Sequence, residues 1–159
     1  MHQPLTVLVT LSLLAWPTGP APAGGPIRFE VRHGPGGQPG PRASPDGRLT
    51  VAVVADLQAR VVEAGSGTPA GPVLGHSRRR PGIRIHAWAF SGDGRLLATA
   101  SSQGAGEDTV GEVRVWEVAG GRLLAVATDA RYPLGRVHTV AFAPDGRTVV
   151  IHCDDISGK

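Results

Sequence analysis

The sequence predicts an all-β chain of repeated, four-stranded antiparallel sheets, and three observations lead to this fold class. An Asp-Gly-Arg turn followed by an apolar run occurs three times, at Pro45-Asp46-Gly47-Arg48, Gly92-Asp93-Gly94-Arg95 and Pro144-Asp145-Gly146-Arg147. The chain has 23 Gly and 14 Pro, and its apolar residues are mostly Val, Ala and Leu, which is typical of turn-rich β proteins. Short apolar runs of strand length flank these turns, and no long helix is indicated.

The threefold turn indicates a repeated structural unit. The Asp, Gly and Arg frequencies of this chain predict about 0.1 such triplets by chance, and the three turns have matching contexts. Successive turns are 47 and 52 residues apart. In each turn the Asp caps the local backbone and the Gly accepts the positive φ that a tight hairpin requires. Each turn therefore marks the first hairpin of a unit.

The second unit has the clearest strand pattern. Its strands are predicted at residues 83–90, 96–101, 112–118 and 122–128, with the turn at 91–95. A separate half-buried strand is predicted earlier, at residues 27–32, where apolar and polar residues alternate. Residues 34–41 contain four Gly and three Pro, so a flexible linker is expected there. We assign residues 24–42 to this N-terminal strand and linker.

The first 23 residues resemble an export signal. Residues 5–16 form an apolar stretch of twelve, and Ala21-Pro22-Ala23 offers a site for cleavage. We therefore expect a signal peptide at residues 1–23 and a periplasmic or extracellular protein. Because no Lys or Arg precedes Leu5, a cytoplasmic location is the alternative. No later segment is apolar enough to span a membrane, so we expect no membrane span in the mature chain.

The charge distribution argues against a nucleic-acid-binding protein, and the cysteine content excludes a protein stabilised by intramolecular disulfides. The net charge of +3 comes from 15 Arg scattered along turns and strands, whereas nucleic-acid footprints cluster their charge and interleave aromatic residues. We therefore expect no nucleic-acid partner. The only local run is Arg78-Arg79-Arg80, which is read either as a solvated loop or as a contact with an anion or partner. Cys153 is the only cysteine, so no intramolecular disulfide can form.

The second unit resembles a WD40 repeat. The resemblance lies in Gly75-His76, in Ala89-Phe90-Ser91-Gly92-Asp93-Gly94-Arg95-Leu96-Leu97-Ala98-Thr99-Ala100-Ser101 and in Val113-Arg114-Val115-Trp116-Glu117. Parts of the same pattern recur at residues 44–48 and 60–63 and at residues 137–147. The resemblance covers residues 43–159 and implies a WD40-like partial β-propeller. Its four-stranded antiparallel blades would be at about 43–75, 76–129 and 130–159, the last one incomplete.

In WD40 repeats a buried hydrogen-bond set joins a His before the first strand, a Ser or Thr on the second strand, an Asp and a Trp. The resemblance implies His76, Ser101 and Trp116 for these positions, with Gln103 where Asp is expected and Glu107 or Asp108 as substitutes. A buried indole N–H or imidazole without a partner costs about 1 to 3 kcal/mol. The first unit departs from the set at Val54, Asp56 and Val62, and the third at Cys153 and Asp155.

The resemblance implies a non-catalytic protein that offers a surface to a protein partner. In a four-stranded blade the loop before the first strand and the loop between the second and third strands emerge on one side. These loops are residues 77–82 and 102–111, and loops on a rigid β scaffold commonly carry recognition. The candidate partner-binding residues are Arg78, Arg79, Arg80, Glu107 and Asp108. The partner itself is not identified by the sequence.

Catalytic, cofactor and metal sites are not predicted. The chain lacks a Gly-x-Ser-x-Gly nucleophile elbow, and nothing indicates a cofactor. The run His152-Cys153-Asp154-Asp155 holds four potential metal ligands, but neighbouring side chains of a strand point to opposite faces. His86 and His138 occupy the same place in their repeats, four residues before a Phe, where a packing role is expected.

The number of blades leaves several interpretations open. A propeller ring closes with about four to eight blades, whereas two and a half are predicted here, with open strand edges. The chain is then a truncated remnant of a longer protein without independent function, a chain that completes its ring by self-association through open blade edges, or a partial propeller capped by a partner. A fragment of a propeller-type hydrolase or lyase is the catalytic alternative.

Overall fold

Ten β-strands and no helix make up the residues that the computed structural model describes, which are 25–34, 36–76, 83–102, 109–128 and 134–155. The strands are β1 (Arg28–His33), β2 (Leu49–Ala55), β3 (Gln58–Glu63), β4 (Pro69–Gly75), β5 (Arg84–Phe90), β6 (Leu96–Ser102), β7 (Gly111–Glu117), β8 (Leu123–Thr128), β9 (Val137–Phe142) and β10 (Thr148–Cys153). This confirms the predicted all-β class and is consistent with partial propeller blades. Within the described ranges, no helix has the length and apolarity to cross a membrane.

The strands form three sheets, which we number along the chain. Sheet I has the order β2-β3-β4, sheet II the order β5-β6-β7-β8, and sheet III the order β1-β10-β9. Sheet II is a four-stranded antiparallel meander, as expected for one complete blade, and its strands begin and end within one residue of their predicted bounds. Sheets I and III have three strands each among the described residues; four were expected for the first blade, and the third blade was expected to be incomplete.

Sheet II is buried on both faces because it lies between the other two sheets. Every residue of β6 is buried, including the polar Thr99, Ser101 and Ser102, so both faces of this strand lie inside the protein. One face carries small Ala side chains and packs on the Val and Ile side chains of sheet III. The other face carries larger side chains and packs on sheet I, and its buried members are Ile85, Phe90, Leu97 and Trp116.

The three Asp-Gly-Arg turns share one backbone geometry. Gly47, Gly94 and Gly146 have φ angles of 71°, 72° and 66°, a region that strains residues with a side chain. In each turn the amide two residues after the Asp donates to the Asp Oδ1, at 3.0, 3.0 and 2.8 Å. These hydrogen bonds favour the charged carboxylate. The three Asp pKa values are accordingly lowered, chiefly by the Ser44 hydroxyl at Asp46 and chiefly by the backbone amide at Asp93 and Asp145.

The third turn lacks the Ser hydroxyl that binds the Asp carboxylate in the first two turns, and another hydroxyl takes its place. In the second turn the Ser91 hydroxyl donates to Asp93 at 2.7 Å and accepts from the Leu96 amide at 2.9 Å. The third turn has Ala at this position, and Thr148 donates its own hydroxyl to the Asp145 carboxylate at 2.7 Å instead. The turn geometry is therefore kept although the residue pattern changes.

The N-terminal strand β1 is part of sheet III, next to β10. It pairs with β10 in parallel, with Val31 opposite Ile151, and its Phe29 and Val31 side chains are buried. Sequence analysis assigned this strand to residues 24–42, outside the blades, and predicted an incomplete third blade. In the structure β1 lies beside β10 and covers its edge.

Residues 36–42 have no regular secondary structure but are hydrogen-bonded to two sheets. The Gly40 amide donates to the Val140 carbonyl at 3.0 Å, and the Phe90 amide donates to the Pro41 carbonyl at 2.9 Å. A Cβ on Gly40 would lie 2.4 Å from the Cβ of Ala89, so this approach requires Gly. The segment predicted as a flexible linker is thus held against sheets II and III at this point.

Strand β2 forms an open edge of sheet I. Val53 and Val54 are 44% and 52% exposed, whereas the residues at the same repeat positions of sheet II, Ala100 and Ser101, are 0% and 1% exposed. Sheets I and III cover both faces of sheet II, whereas β2 has no further strand beside it in the described part of sheet I. This edge therefore exposes apolar side chains that a fourth strand would cover.

Candidate functional site

A chain of buried hydrogen bonds joins the predicted residues His76, Ser101 and Trp116. His76 follows β4, Ser101 lies on β6 and Trp116 lies on β7, so the chain connects sheet I to two strands of sheet II. The His76 Nδ1 lies 2.8 Å from the Ser101 Oγ. The Trp116 indole does not contact Ser101 directly, because another hydroxyl lies between the two rings.

That hydroxyl belongs to Thr99, two residues before Ser101 on the same face of β6. The Trp116 Nε1 donates to the Thr99 Oγ1 at 2.8 Å, and the His76 Nε2 lies 2.7 Å from the same oxygen. All three side chains are buried. The Thr99 hydroxyl therefore satisfies both rings, a role that the resemblance did not place on it.

The carboxylate of the network comes from Glu112 at the start of β7. Its Oε1 lies 3.3 Å from the His76 Nδ1 and also accepts from the Arg114 Nε. Arg114 in turn donates to the Gly75 carbonyl at 2.9 Å, next to His76. Glu112 thus stands where the resemblance implied an Asp. Gln103, Glu107 and Asp108, which were considered for this position, lie outside the described residues.

These contacts determine the protonation of His76. A carboxylate can only accept, so the proton lies on Nδ1, which faces Glu112 and Ser101. The Nε2 then accepts from the Thr99 hydroxyl, whose oxygen accepts from Trp116. Burial lowers the pKa of His76 and outweighs the opposing effect of Glu112. The imidazole is therefore neutral near pH 7, and both of its ring nitrogens form hydrogen bonds within the fold.

The predicted partner-binding residues Arg78, Arg79, Arg80, Glu107 and Asp108 lie outside the described residues. The structure does describe the strand ends from which their loops extend. His76 precedes the first loop, and the network above binds it to β6 and β7. Ser102 is the first residue of the second loop, and its hydroxyl lies 2.6 Å from the His86 Nε2 on β5. Thr109, near the end of that loop, is buried.

The remaining polar residues considered from the sequence lie apart from the network. His86 and His138 occupy matching positions on β5 and β9, and the His138 Nε2 lies 2.7 Å from the Asp154 carboxylate. Cys153 is fully buried, and burial raises the pKa of its thiol to about 11, which keeps it protonated and unreactive near pH 7. Across the described ranges, His, Cys, Asp and Glu side chains form no group of three that would hold a metal ion.

Comparison with known proteins gives a partial similarity. No family model matches the chain. The chain is 47% identical over 66 residues to autophagy-related protein 18 of Meyerozyma guilliermondii, a WD40 β-propeller protein. The aligned segment covers 42% of this chain and 10% of that protein, so the chain spans about a tenth of the relative's length. The all-β sheets described above are consistent with a propeller fragment.

Proposed function

We propose that this chain is a non-catalytic, WD40-type repeat protein that presents a binding surface to a protein partner. The surface is formed by the two loops at the His76 end of sheet II. Arg78, Arg79 and Arg80 supply its positive charge, and Glu107 and Asp108 supply its negative charge. We further propose that residues 1–23 direct the chain out of the cytoplasm, so that the partner is an exported protein.

The observation that supports this function is the anchoring of the loop ends. His76 is held by Thr99, Ser101 and Glu112, and Ser102 is held by His86. These anchors lie on adjacent strands of one sheet, so both loops start from a rigid platform. A rigid scaffold that carries variable, charged loops is a common arrangement for recognition, because the ordering cost of the scaffold is met on folding.

The partial similarity to a WD40 β-propeller protein supports the same function. Four antiparallel strands in sheet II and the repeated Asp-Gly-Arg turns agree with a blade architecture. The buried ionisable groups at this end of sheet II also have structural partners. His76 and Glu112 connect strands to one another, which is the role that such a set has in a repeat protein.

The test replaces the three loop arginines with Ser in the full chain. Affinity capture with this variant, from the organism that expresses the chain, should lose a partner that the unmodified chain retains. The control replaces Arg28, Arg32 and Arg48 with Ser, which removes the same charge from exposed positions outside the loops. An identical partner set for all three proteins contradicts the proposed surface. Loss of the partner in the control alone also contradicts it, because the binding surface would then include Arg28, Arg32 or Arg48 and not the loops.

A further inference from the structure

A polar groove lies at the opposite end of sheet II, where the Asp-Gly-Arg turns of the second and third units meet the start of β1. Its volume is about 330 Å³. The apolar part of its lining comes from Ile27, Leu96 and Leu124, which belong to three separate segments of the chain. This groove is formed by sheets II and III together and is separate from the proposed loop surface.

Three guanidinium groups and two carboxylates line the same groove. Glu117 pairs with Arg122, with 3.2 Å between Oε2 and Nε. The Asp93 Oδ1 accepts both from the Ser91 hydroxyl and from the Arg95 backbone amide, so the turn itself uses one of the two carboxylate oxygens. Both carboxylates of the groove are therefore already engaged.

Two guanidinium groups of the groove form no ion pair in the described ranges, although the charge of Arg95 helps to lower the pKa of the nearby Asp93 carboxyl. Arg95 and Arg147 line the groove, and neither guanidinium has an ion pair or side-chain hydrogen bond with any residue in the described ranges. They occupy the same position of successive repeats, directly after the Asp-Gly of each turn. The fold thus brings two equivalent arginines from turns 52 residues apart to one groove.

We propose that this groove binds an acidic peptide segment of the protein partner. A carboxylate of the peptide pairs with Arg95 and Arg147, since guanidinium groups bind carboxylates through charge-assisted, often bidentate hydrogen bonds. A neighbouring aliphatic side chain of the peptide packs on Ile27 and Leu124. The inference rests on the proposed function, because it supplies the chemistry that the partner presents to this second surface.

The size and lining of the groove favour a peptide over a small inorganic anion. A volume of about 330 Å³ holds a few side chains, well beyond the size of one phosphate. The aliphatic lining would gain nothing from a bare anion, whereas it is covered when a Leu or Val lies beside the acidic residue. Two unpaired cations match one or two carboxylates of such a segment.

The test measures fluorescence anisotropy of a labelled hexapeptide of alternating Leu and Glu with the full chain. Replacing Arg95 and Arg147 together with Gln should weaken binding about tenfold or more, because the peptide carboxylate loses its charge-assisted hydrogen bonds to both guanidinium groups. Replacing both with Lys should give intermediate binding, since Lys keeps the charge and loses the bidentate geometry. The control, Arg32→Gln with Arg48→Gln, should bind as the unmodified chain does.

Three results would overturn the groove proposal. One is equal binding by the Gln double variant and the control. Another is equal binding of the matching Leu and Gln peptide, which carries no charge. The last is displacement of the acidic peptide by millimolar inorganic phosphate, which would assign the groove to small anions.

The same variants distinguish this proposal from the proposed function. If the Arg78, Arg79 and Arg80 variant loses its partner while the groove variants bind the peptide unchanged, the groove proposal fails and the proposed function stands. If the groove variants lose the peptide while the loop variant keeps every partner, the groove stands and the loop surface is wrong.

Discussion

Replacing Thr99 with Val tests which hydroxyl satisfies the buried rings of His76 and Trp116. Valine has the shape of threonine, so the substitution removes one oxygen and leaves the packing of β6 unchanged. In the unmodified chain that oxygen lies 2.8 Å from the indole Nε1 and 2.7 Å from the imidazole Nε2. Both partners are buried, and no other hydrogen bond to these two nitrogens is seen among the described residues.

The expected cost follows from the number of polar atoms that lose their partner. A buried donor or acceptor left unsatisfied costs about 1 to 3 kcal/mol, and Thr99→Val leaves two such atoms, for a total of about 2 to 6 kcal/mol. Ser101→Ala should cost only about 1 kcal/mol, because the His76 Nδ1 still has the Glu112 carboxylate at 3.3 Å. Thr99→Val is therefore expected to be the more destabilising of the two.

Urea unfolding followed by circular dichroism at pH 7 measures both changes as free energies of unfolding. The matched control is Thr50→Val, because the Thr50 hydroxyl donates to the Arg42 carbonyl at an exposed position where water replaces it. We expect that control to lie within about 0.5 kcal/mol of the unmodified chain. A cost for Ser101→Ala equal to or above that of Thr99→Val would refute the assignment of the central role to Thr99.

Three further predictions concern the thiol, the turns and the linker. Native Cys153 should resist iodoacetamide at pH 8 in mass-spectrometric assays and react once urea unfolds the chain, because burial holds its pKa at about 11. The Asp93 pKa is lowered chiefly by the backbone amide that it caps, so its stabilisation is present above its unfolded pKa and is lost as the pH falls through its folded pKa. Asp93→Asn should therefore lower Tm at pH 7, and the difference should shrink below about pH 4. Gly40→Ala should lower the free energy of unfolding by about 1 to 3 kcal/mol, since its Cβ would meet Ala89, whereas Gly25→Ala has open space and should be neutral.

Each of these predictions has an outcome that contradicts it. Alkylation of the native thiol at the rate of a free cysteine would show that Cys153 is accessible. A Tm difference for Asp93→Asn that is constant from pH 7 to pH 3 would show that the charge of this carboxylate does not matter. Equal stability of the two Gly variants would show that residues 36–42 do not approach sheet II closely.

The sequence predicted local structure well because local structure depends on neighbouring residues. The strands of sheet II follow from apolar runs between Gly-rich turns, and their ends agree within one residue with the structure. The turns follow from Asp and Gly at fixed positions, and Gly94 has the positive φ that this chemistry requires. None of these features needs knowledge of a distant partner.

The pairings that the sequence did not reveal are those between distant segments. The alternation at residues 27–32 identifies a strand but carries no information on its neighbour, so the parallel pairing of β1 with β10 was not anticipated. The choice between two hydroxyls on one face of β6 depends on how the Trp116 ring is staggered against that strand. Thr99 lies opposite Arg114 in the strand register, two residues away from Trp116. This offset determines which of the two hydroxyls the Trp116 indole reaches.

Glu112 was missed for a similar reason. The expected position for an acidic residue was Gln103, and Glu107 and Asp108 were considered only because they are near it in sequence. The carboxylate that the structure places beside His76 comes from the start of the next strand, opposite Ser101 in the register. A search for acidic residues across the strand pair, rather than along the loop, is the signal that would have found it.

The pairing of β1 with β10 sets an order on the synthesis of this protein. The two strands are separated by 120 residues, since His33 lies opposite Cys153. On the ribosome β1 emerges long before β10. Its apolar Phe29 and Val31 side chains therefore stay exposed until β10 is synthesised, while sheets I and II form from local hairpins. Closing so long a loop is slow, and until it closes β1 can pair with the edge of another strand and misfold. A circular permutant in which a crossover linker of about a dozen residues connects the end of β10 to the start of the parallel β1 would remove this delay and should refold faster.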